Sequence, residues 1–220
     1  MKQSMELFGE ALHGYLQGDK SAFFFEDVNG NKYKMSLARY FRTYSQFTTL
    51  EQKIISLAHG EILDVGCGTG MFIPYLSKQG NVIGIDISSP VVEVARERGI
   101  AHVAVRDIFD FKSRQKYDTI VLFENNFGLA GTVSRARQLL EILGSLLTPT
   151  GCILTNATTV TRSDYFENEL YSVWKKKRGE SFKWISFNVR FLAELCAEAG
   201  LRLDVVDSNS WHYLAKISKG

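Results

Sequence analysis

Cysteine is scarce in this chain, three in 220 residues, and Cys67, Cys152 and Cys196 cannot all pair. None lies near another, so neither a disulfide framework nor a metal-ligand spacing can be read, and no metal is expected. They read as reduced, small apolar side chains in a cytoplasmic protein. Long hydrophobic runs are missing too: no stretch is long and apolar enough to cross a bilayer, and no membrane partner is expected. Met1 to Asp19 is polar and interrupted by Gly9, Gly14 and Gly18, with no visible signal peptide. Nor is there an excess of one charge. Lys and Arg number 26 against 24 Asp and Glu, a net charge of +2, too mild to imply nucleic acid. Only Lys175-Lys176-Lys177-Arg178 is a basic run, and it reads as a solvated loop or helix end rather than a phosphate track.

What is present is ordinary globular material, 45% hydrophobic and 23% charged. The length fits one large α/β domain, or a core with a small appendage. Residues 1–60 differ in character from the rest. Ala22 to Asp27 and Lys32 to Met35 flank the turn pair Asn29-Gly30 and predict a β-hairpin. Helical spacing follows through Leu37, Tyr40, Phe41, Tyr44 and Phe47, then through Ile54, Ile55 and Ala58, with Gly60 as a stop.

From Glu61 strands and helices alternate. Pro74 falls in a first helical turn, where N–H groups lack partners anyway, and Pro90 opens the next helix. A long amphipathic helix from Val133 to Leu147 is stopped by Thr148-Pro149, and Cys152 to Thr155 is strand. A helix over Val189 to Ala199 precedes a terminal strand pair, Leu201 to Val206 and Trp211 to Ile217. Repeated βα units imply a mainly parallel, doubly wound α/β sheet with right-handed crossovers. The short connection Asp207 to Ser210 permits an antiparallel last strand.

One stretch carries the chemistry: Ile62-Leu63-Asp64-Val65-Gly66-Cys67-Gly68-Thr69-Gly70. A strand runs into alternating glycines, which turn tightly and let backbone N–H groups meet a ligand. A nicotinamide fingerprint, G-x-G-x-x-G, would need glycine where Met71 stands. The pattern D-V-G-C-G-T-G instead resembles motif I of the class I S-adenosylmethionine-dependent methyltransferases. Three further segments resemble that family's next strands in order and spacing: Asn81 to Ser88 with Asp86, Val103 to Phe109 with Asp107, and Tyr117 to Phe123. The resemblance implies a seven-stranded, mostly parallel Rossmann-like sheet over residues 61–220. Residues 1–60 would form a small helical and hairpin extension, a lid on the substrate side. A substrate-recognition insertion is implied near residues 158–187, rich in aromatics such as Tyr165, Tyr171, Trp174 and Trp184.

The same resemblance implies S-adenosylmethionine as cofactor and S-adenosylhomocysteine as product. Gly66, Cys67, Gly68 and Gly70 would lie under the methionine part, with Asp64 near its amino group. Asp86 and Ile87 would meet the ribose, a role that carboxylates at this place fill in dinucleotide folds; capping the next helix is the alternative. Asp107 and Ile108 would border the adenine, with Asp110 competing, and Phe123 or Glu124 would flank the sulfur. Glu124-Asn125-Asn126-Phe127-Gly128-Leu129 resembles an N-N-F-G-L segment of one group of these enzymes. It departs from the N-P-P-Y motif of nucleic-acid amino methylation, so a small-molecule acceptor is expected. Methyl transfer from a sulfonium needs alignment more than a general base. Glu124, Asn125 and Tyr40 are the catalytic candidates, with Asn126 sharing the place of Asn125. His13, His59, His102 and His212 show no partner pattern. The acceptor's nucleophilic atom and the oligomeric state are not written in these residues.

Overall fold

The computed structural model describes residues 2–220. A first helix, α1 (Lys2–Leu16), leads to the hairpin β1 (Phe23–Asp27) and β2 (Lys32–Met35). Asp27 fixes its turn, one carboxylate oxygen accepting the N–H groups of Asn29 and Asn31 at 2.9 Å each. The helical spacing of Leu37 to Phe47 resolves differently from the expectation. It forms two 3-10 turns, Leu37–Phe41 and Tyr44–Gln46, separated by extended backbone at Arg42 and Thr43. Thr43 and Gln46 close a capping box there, a local alternative that competes with a continuous helix. A second capping box, Thr48 with Glu51, opens α2 (Thr49–Leu57).

The core sheet then begins with β3 (Gly60–Val65), α3 (Ile73–Leu76), β4 (Gly80–Asp86), α4 (Ser89–Glu97) and β5 (Val103–Val105). Gly60 opens β3, so the stop expected there falls at Ala58. The chain returns through β6 (Tyr117–Leu122), α5 (Val133–Leu146) and β7 (Leu147–Thr158). Then come β8 (Tyr165–Trp174), β9 (Lys177–Phe187), α6 (Val189–Glu198), β10 (Leu201–Ser208) and β11 (His212–Lys219). Helix α5 ends at Leu146 and β7 begins at Leu147, so Thr148 and Pro149, expected only to stop the helix, already lie within the strand. Its pairing with β6 slips between Tyr117 and Thr119, and Pro149 sits in that irregularity, where it owes no ladder hydrogen bond.

The seven strands lie in the order β10-β11-β7-β6-β3-β4-β5. The pairs β3/β4, β3/β6, β4/β5 and β6/β7 are parallel, whereas β11 runs antiparallel to both neighbours. The order reverses between β3 and β6, so the ends of these strands face a crevice. Leu63, Ile120 and Leu122 are fully buried at the sheet centre against Leu139, Leu140 and Leu143 of α5. Each such side chain contributes about 1.5–3 kcal/mol by leaving water.

A second, four-stranded antiparallel sheet has the order β2-β1-β8-β9. The N-terminal hairpin thus pairs with the segment after β7, Phe23 facing Trp174 and Asp27 facing Leu170. Helix α1 packs beneath this sheet and against α4. Its glycine at position 9 permits that approach: a Cβ there would lie 2.7 Å from the Pro90 Cβ. Among the described residues no helix is long and apolar enough to cross a membrane.

Candidate functional site

The site grows from the end of β3. Gly66, Gly68 and Gly70 hold φ of 72°, 58° and 69°, a left-handed conformation natural to glycine. The N–H groups of Gly66 and Cys67 both donate to the carbonyl of Ile85, at 2.8 and 3.0 Å, so the loop is laced to β4. A Cβ on Gly66 would lie 2.6 Å from the Asn126 side-chain nitrogen, whereas one on Gly68 would meet nothing within 4 Å. Gly66 is therefore closed in by protein, and Gly68 faces open space. Gly70 turns away, toward Ile100 and Ala95. Thr69 turns back as well: its hydroxyl donates to the Tyr40 carbonyl and accepts from Arg98 at 3.0 Å.

Two carboxylates stand behind this loop. Asp86 ends β4 and accepts the N–H of Ser88 at 3.0 Å through one oxygen and that of Gly68 at 3.1 Å through the other. Ser88, at the N-cap of α4, makes no side-chain capping bond; Asp86 takes its N–H instead. Burial raises the Asp86 pKa, opposed by the backbone N–H groups of Ser88, Gly68 and Ile87. Asp64 is 1% exposed, and its Oδ2 has no hydrogen-bond partner. Burial first, then the charge of Asp86, push its carboxyl up to about 8. Neither acid has an ion-pair partner among the described residues. Burial lifts the Cys67 thiol well above its usual range and favours its protonated form.

The end of β6 supplies the opposite wall. Phe123 stacks on Phe72 with centroids 3.7 Å apart. Glu124 and Asn125 then take φ of 54° and 65° in succession, a strained conformation for side chains larger than glycine, of the sort that collects at functional sites. The surroundings enforce it. The Glu124 N–H donates to the Asn156 side chain at 3.0 Å and the Asn125 N–H to the Asn156 carbonyl at 2.8 Å. Asn125 donates to Ser186 at 3.1 Å and Asn126 to the Gly66 carbonyl at 2.8 Å. Glu124 accepts from Arg39 at 2.9 Å and from Arg42 at 2.5 Å, and Arg42 also forks onto Glu51 at 2.8 and 3.1 Å. Burial and the neighbouring Glu51 raise the Glu124 pKa against the pull of Arg39. Glu51 moves down despite burial, because Arg42 and the Thr48 N–H hold its carboxylate.

Loop and β6 wall open onto one cavity of about 330 Å³. Gly66, Cys67 and Gly68 line its floor, and Asp86, Ile87, Asp107 and Ile108 one side. Phe123, Glu124, Asn125 and Tyr40 line the other. Asp64, Gly70 and Asp110 of the expected residues lie outside the lining. Asp107 and Ile108 lie beyond the short β5, on a turn where the Asp107 carboxylate accepts the Phe109 N–H at 2.9 Å. Asn126 lines the cavity too, and so does Trp184 from the later aromatic segment; Tyr165, Tyr171 and Trp174 do not. No histidine lines the cavity among the described residues.

Several lining residues escaped sequence reasoning. Arg135 lies 3.7 Å from the Phe109 ring centroid at the Asp107 end. Met5 and Phe8 come from α1, Met35 from β2, and Leu170 and Phe182 from the second sheet. A signal for α1 existed: Leu7, Phe8, Ala11 and Leu12 repeat at helical spacing and are all buried.

Residues 62–151 match a family model described as a methyltransferase domain. An uncharacterized methyltransferase of Staphylococcus carnosus is 25% identical over 186 residues, covering 80% of this chain and 86% of that protein. The malonyl-[acyl-carrier protein] O-methyltransferase of Acetivibrio thermocellus is 25% identical over 204 residues, 82% of this chain and 71% of its own. Among solved structures, an S-adenosylmethionine-dependent methyltransferase from Bacteroides fragilis, in complex with S-adenosyl-L-homocysteine, superposes with a TM-score of 0.89. The match covers 100% of this chain and 97% of that one at 24% identity, and it speaks to the fold.

Proposed function

We propose that the chain is a class I methyltransferase and that it transfers a methyl group from S-adenosylmethionine to a small-molecule acceptor. One observation carries the reading: a buried carboxylate, Asp64, and a half-buried one, Asp86, stand without ion-pair partners beside a glycine turn that opens onto a cavity. Such a site suits a ligand that brings its own positive charge and hydroxyl donors.

The residues present fit S-adenosylmethionine. Asp64, whose Oδ2 lacks a partner, stands behind the lining and would serve the ammonium end through water, and the loop from Gly66 to Gly68 would run beneath it. Asp86 would accept the ribose hydroxyls while still fixing Gly68. Asp107 and Ile108 would border the adenine, and Phe123 and Glu124 the sulfur. When bound, the group supplies a methyl already activated by its sulfonium.

The chain's own residues then align the acceptor and exclude water, and alignment of this kind is worth about 7–11 kcal/mol. Glu124 is held by two guanidinium groups, so its first task is to fix the wall rather than to accept a proton. Tyr40 keeps its phenolic proton, because burial and then the charge of Glu124 raise its pKa; it can donate a hydrogen bond into the cavity. The basic run supports a small acceptor over nucleic acid. Lys175 pairs with Asp19, Lys177 with Glu10 and Arg178 with Glu26, so most of its charge is already answered.

Thermal denaturation with S-adenosylhomocysteine, and in parallel with NAD, tests the proposal. A ligand at 100 times its Kd stabilises by about 2.7 kcal/mol. The melting temperature is expected to rise with S-adenosylhomocysteine alone; a rise with NAD alone would sink the reading.

A further inference from the structure

We infer that the methyl acceptor is an uncharged molecule with an apolar body, seated between α1 and the second sheet. The inference rests on the cofactor assignment above and names the class of its partner in the reaction. The acceptor half of the cavity is walled by Met5 and Phe8 of α1, Phe25 of β1, Met35 of β2, Leu170 of β8 and Phe182 of β9. Five separate elements thus each present an apolar side chain to one space, and none presents a charge.

Met5, Phe25 and Met35 pack on the cluster around Leu7, Phe8 and Leu12, yet core packing covers them only in part. Met5, Phe25, Met35 and Leu170 remain half-buried, with apolar surface turned toward the cavity. The aromatic members brace one another: Phe8 and Phe25 stand 6.0 Å apart, Phe25 and Phe182 5.6 Å, and Phe8 and Tyr40 5.0 Å. The two methionines add adaptable, polarizable surface. The charges lining the rest of the cavity have other duties. Asp86, Arg106, Asp107 and Arg135 lie on the cofactor side, Arg106 donating to the Val105 carbonyl at 2.8 Å, and Glu124 is neutralised by Arg39 and Arg42. A sugar or amino-acid acceptor would leave hydroxyls or charges in this half without partners, a desolvation loss that an aliphatic or aromatic body avoids. Tyr40, on the boundary between the halves, can donate to a lone pair of the acceptor.

The test is calorimetry with phenol, 4-ethylphenol, 4-butylphenol and 4-hexylphenol, on the protein alone and loaded with S-adenosylhomocysteine. Affinity is expected to climb about fourfold per methylene until the space is filled. Glucosamine and 4-hydroxyphenylacetate are expected to bind at least about tenfold more weakly than 4-ethylphenol. In Met35→Glu, 4-butylphenol affinity should drop by at least about tenfold while S-adenosylhomocysteine affinity is kept; Met35→Leu should retain both. A flat series, tighter binding of the polar probes, or an unaffected Met35→Glu variant would overturn the inference. Failure of S-adenosylhomocysteine to bind, with the alkylphenol trend intact on the protein alone, would instead overturn the cofactor assignment.

Discussion

The carboxylate of Asp86 accepts the backbone N–H of Gly68 at 3.1 Å, so the end of one strand fixes the turn that leaves its neighbour. In the proposed complex that carboxylate has two duties, holding the loop and meeting the ribose. Asp86→Ala removes both. S-adenosylhomocysteine affinity is expected to fall at least about tenfold, since hydrogen bonds to a charged group are worth about 1.5–3 kcal/mol each. The variant should still unfold cooperatively. Unchanged affinity by calorimetry would remove Asp86 from the site.

Gly66 and Gly68 should separate under substitution. Gly68 points its missing Cβ into open space, so Gly68→Val folds, with reduced stability from its φ of 58°, but blocks the ligand. Gly66→Ala meets the Asn126 side chain at 2.6 Å and disturbs the wall itself. Melting temperatures and S-adenosylhomocysteine titrations on both variants give the comparison. A Gly68→Val protein with normal affinity would contradict a close backbone approach.

Asp64 makes the free protein lose stability as the pH rises from the carboxylate range toward about 8. Its carboxyl is pushed up from 3.8 to about 8, so the unfolded chain loses this proton first as the pH rises. Below the ordinary carboxylate range both states hold the proton and the group is neutral in its effect. Between that range and about 8 the folded state holds a proton that the unfolded state has released, and stability falls as pH rises. Asp64→Asn should flatten this part of the stability curve. A cationic ligand should reverse the shift, so binding near neutral pH should release a proton, seen as a dependence of binding heat on buffer ionisation enthalpy. Equal proton release from wild type and Asp64→Asn would dismiss Asp64 as the group responsible.

The cluster of Glu124 with Arg39 and Arg42 ties the 3-10 turns to the end of β6. Glu124 and Arg42 are 13% and 15% exposed, dry enough for the pair to matter. Glu124→Gln is expected to cost about 1.5–3 kcal/mol in urea unfolding, and less when Arg42 is already replaced by methionine. Strict additivity of the two substitutions would show the contact to be idle.

Much of the core could be read from residue order because its signals are local. Ile120, Val121 and Leu122 form a continuous apolar run, as a strand covered on both faces should, and Asp86 announces itself by ending such a run. The second sheet could not be read in this way. The hairpin strand Phe23–Asp27 is visible, but nothing local says that it pairs with Leu170–Trp174. Helix α1 was hidden by its glycines, which resemble breakers in sequence and serve as contact points in the fold: Gly9 against Pro90 and Gly14 against Trp174. The 3-10 turns kept helical spacing while the capping box at Thr43 interrupted the helix. The acceptor half of the site rests on these elements, so it stayed unread.

The second sheet joins residues as remote as Glu26 and Arg178, 152 positions apart. During synthesis the early hairpin must therefore wait, one edge unpaired, until most of the chain has left the ribosome. Pairing of such high contact order is slow to form. The backbone edge of the nascent hairpin stays open to neighbouring chains throughout that interval, which makes this the stretch where chaperone help would count most.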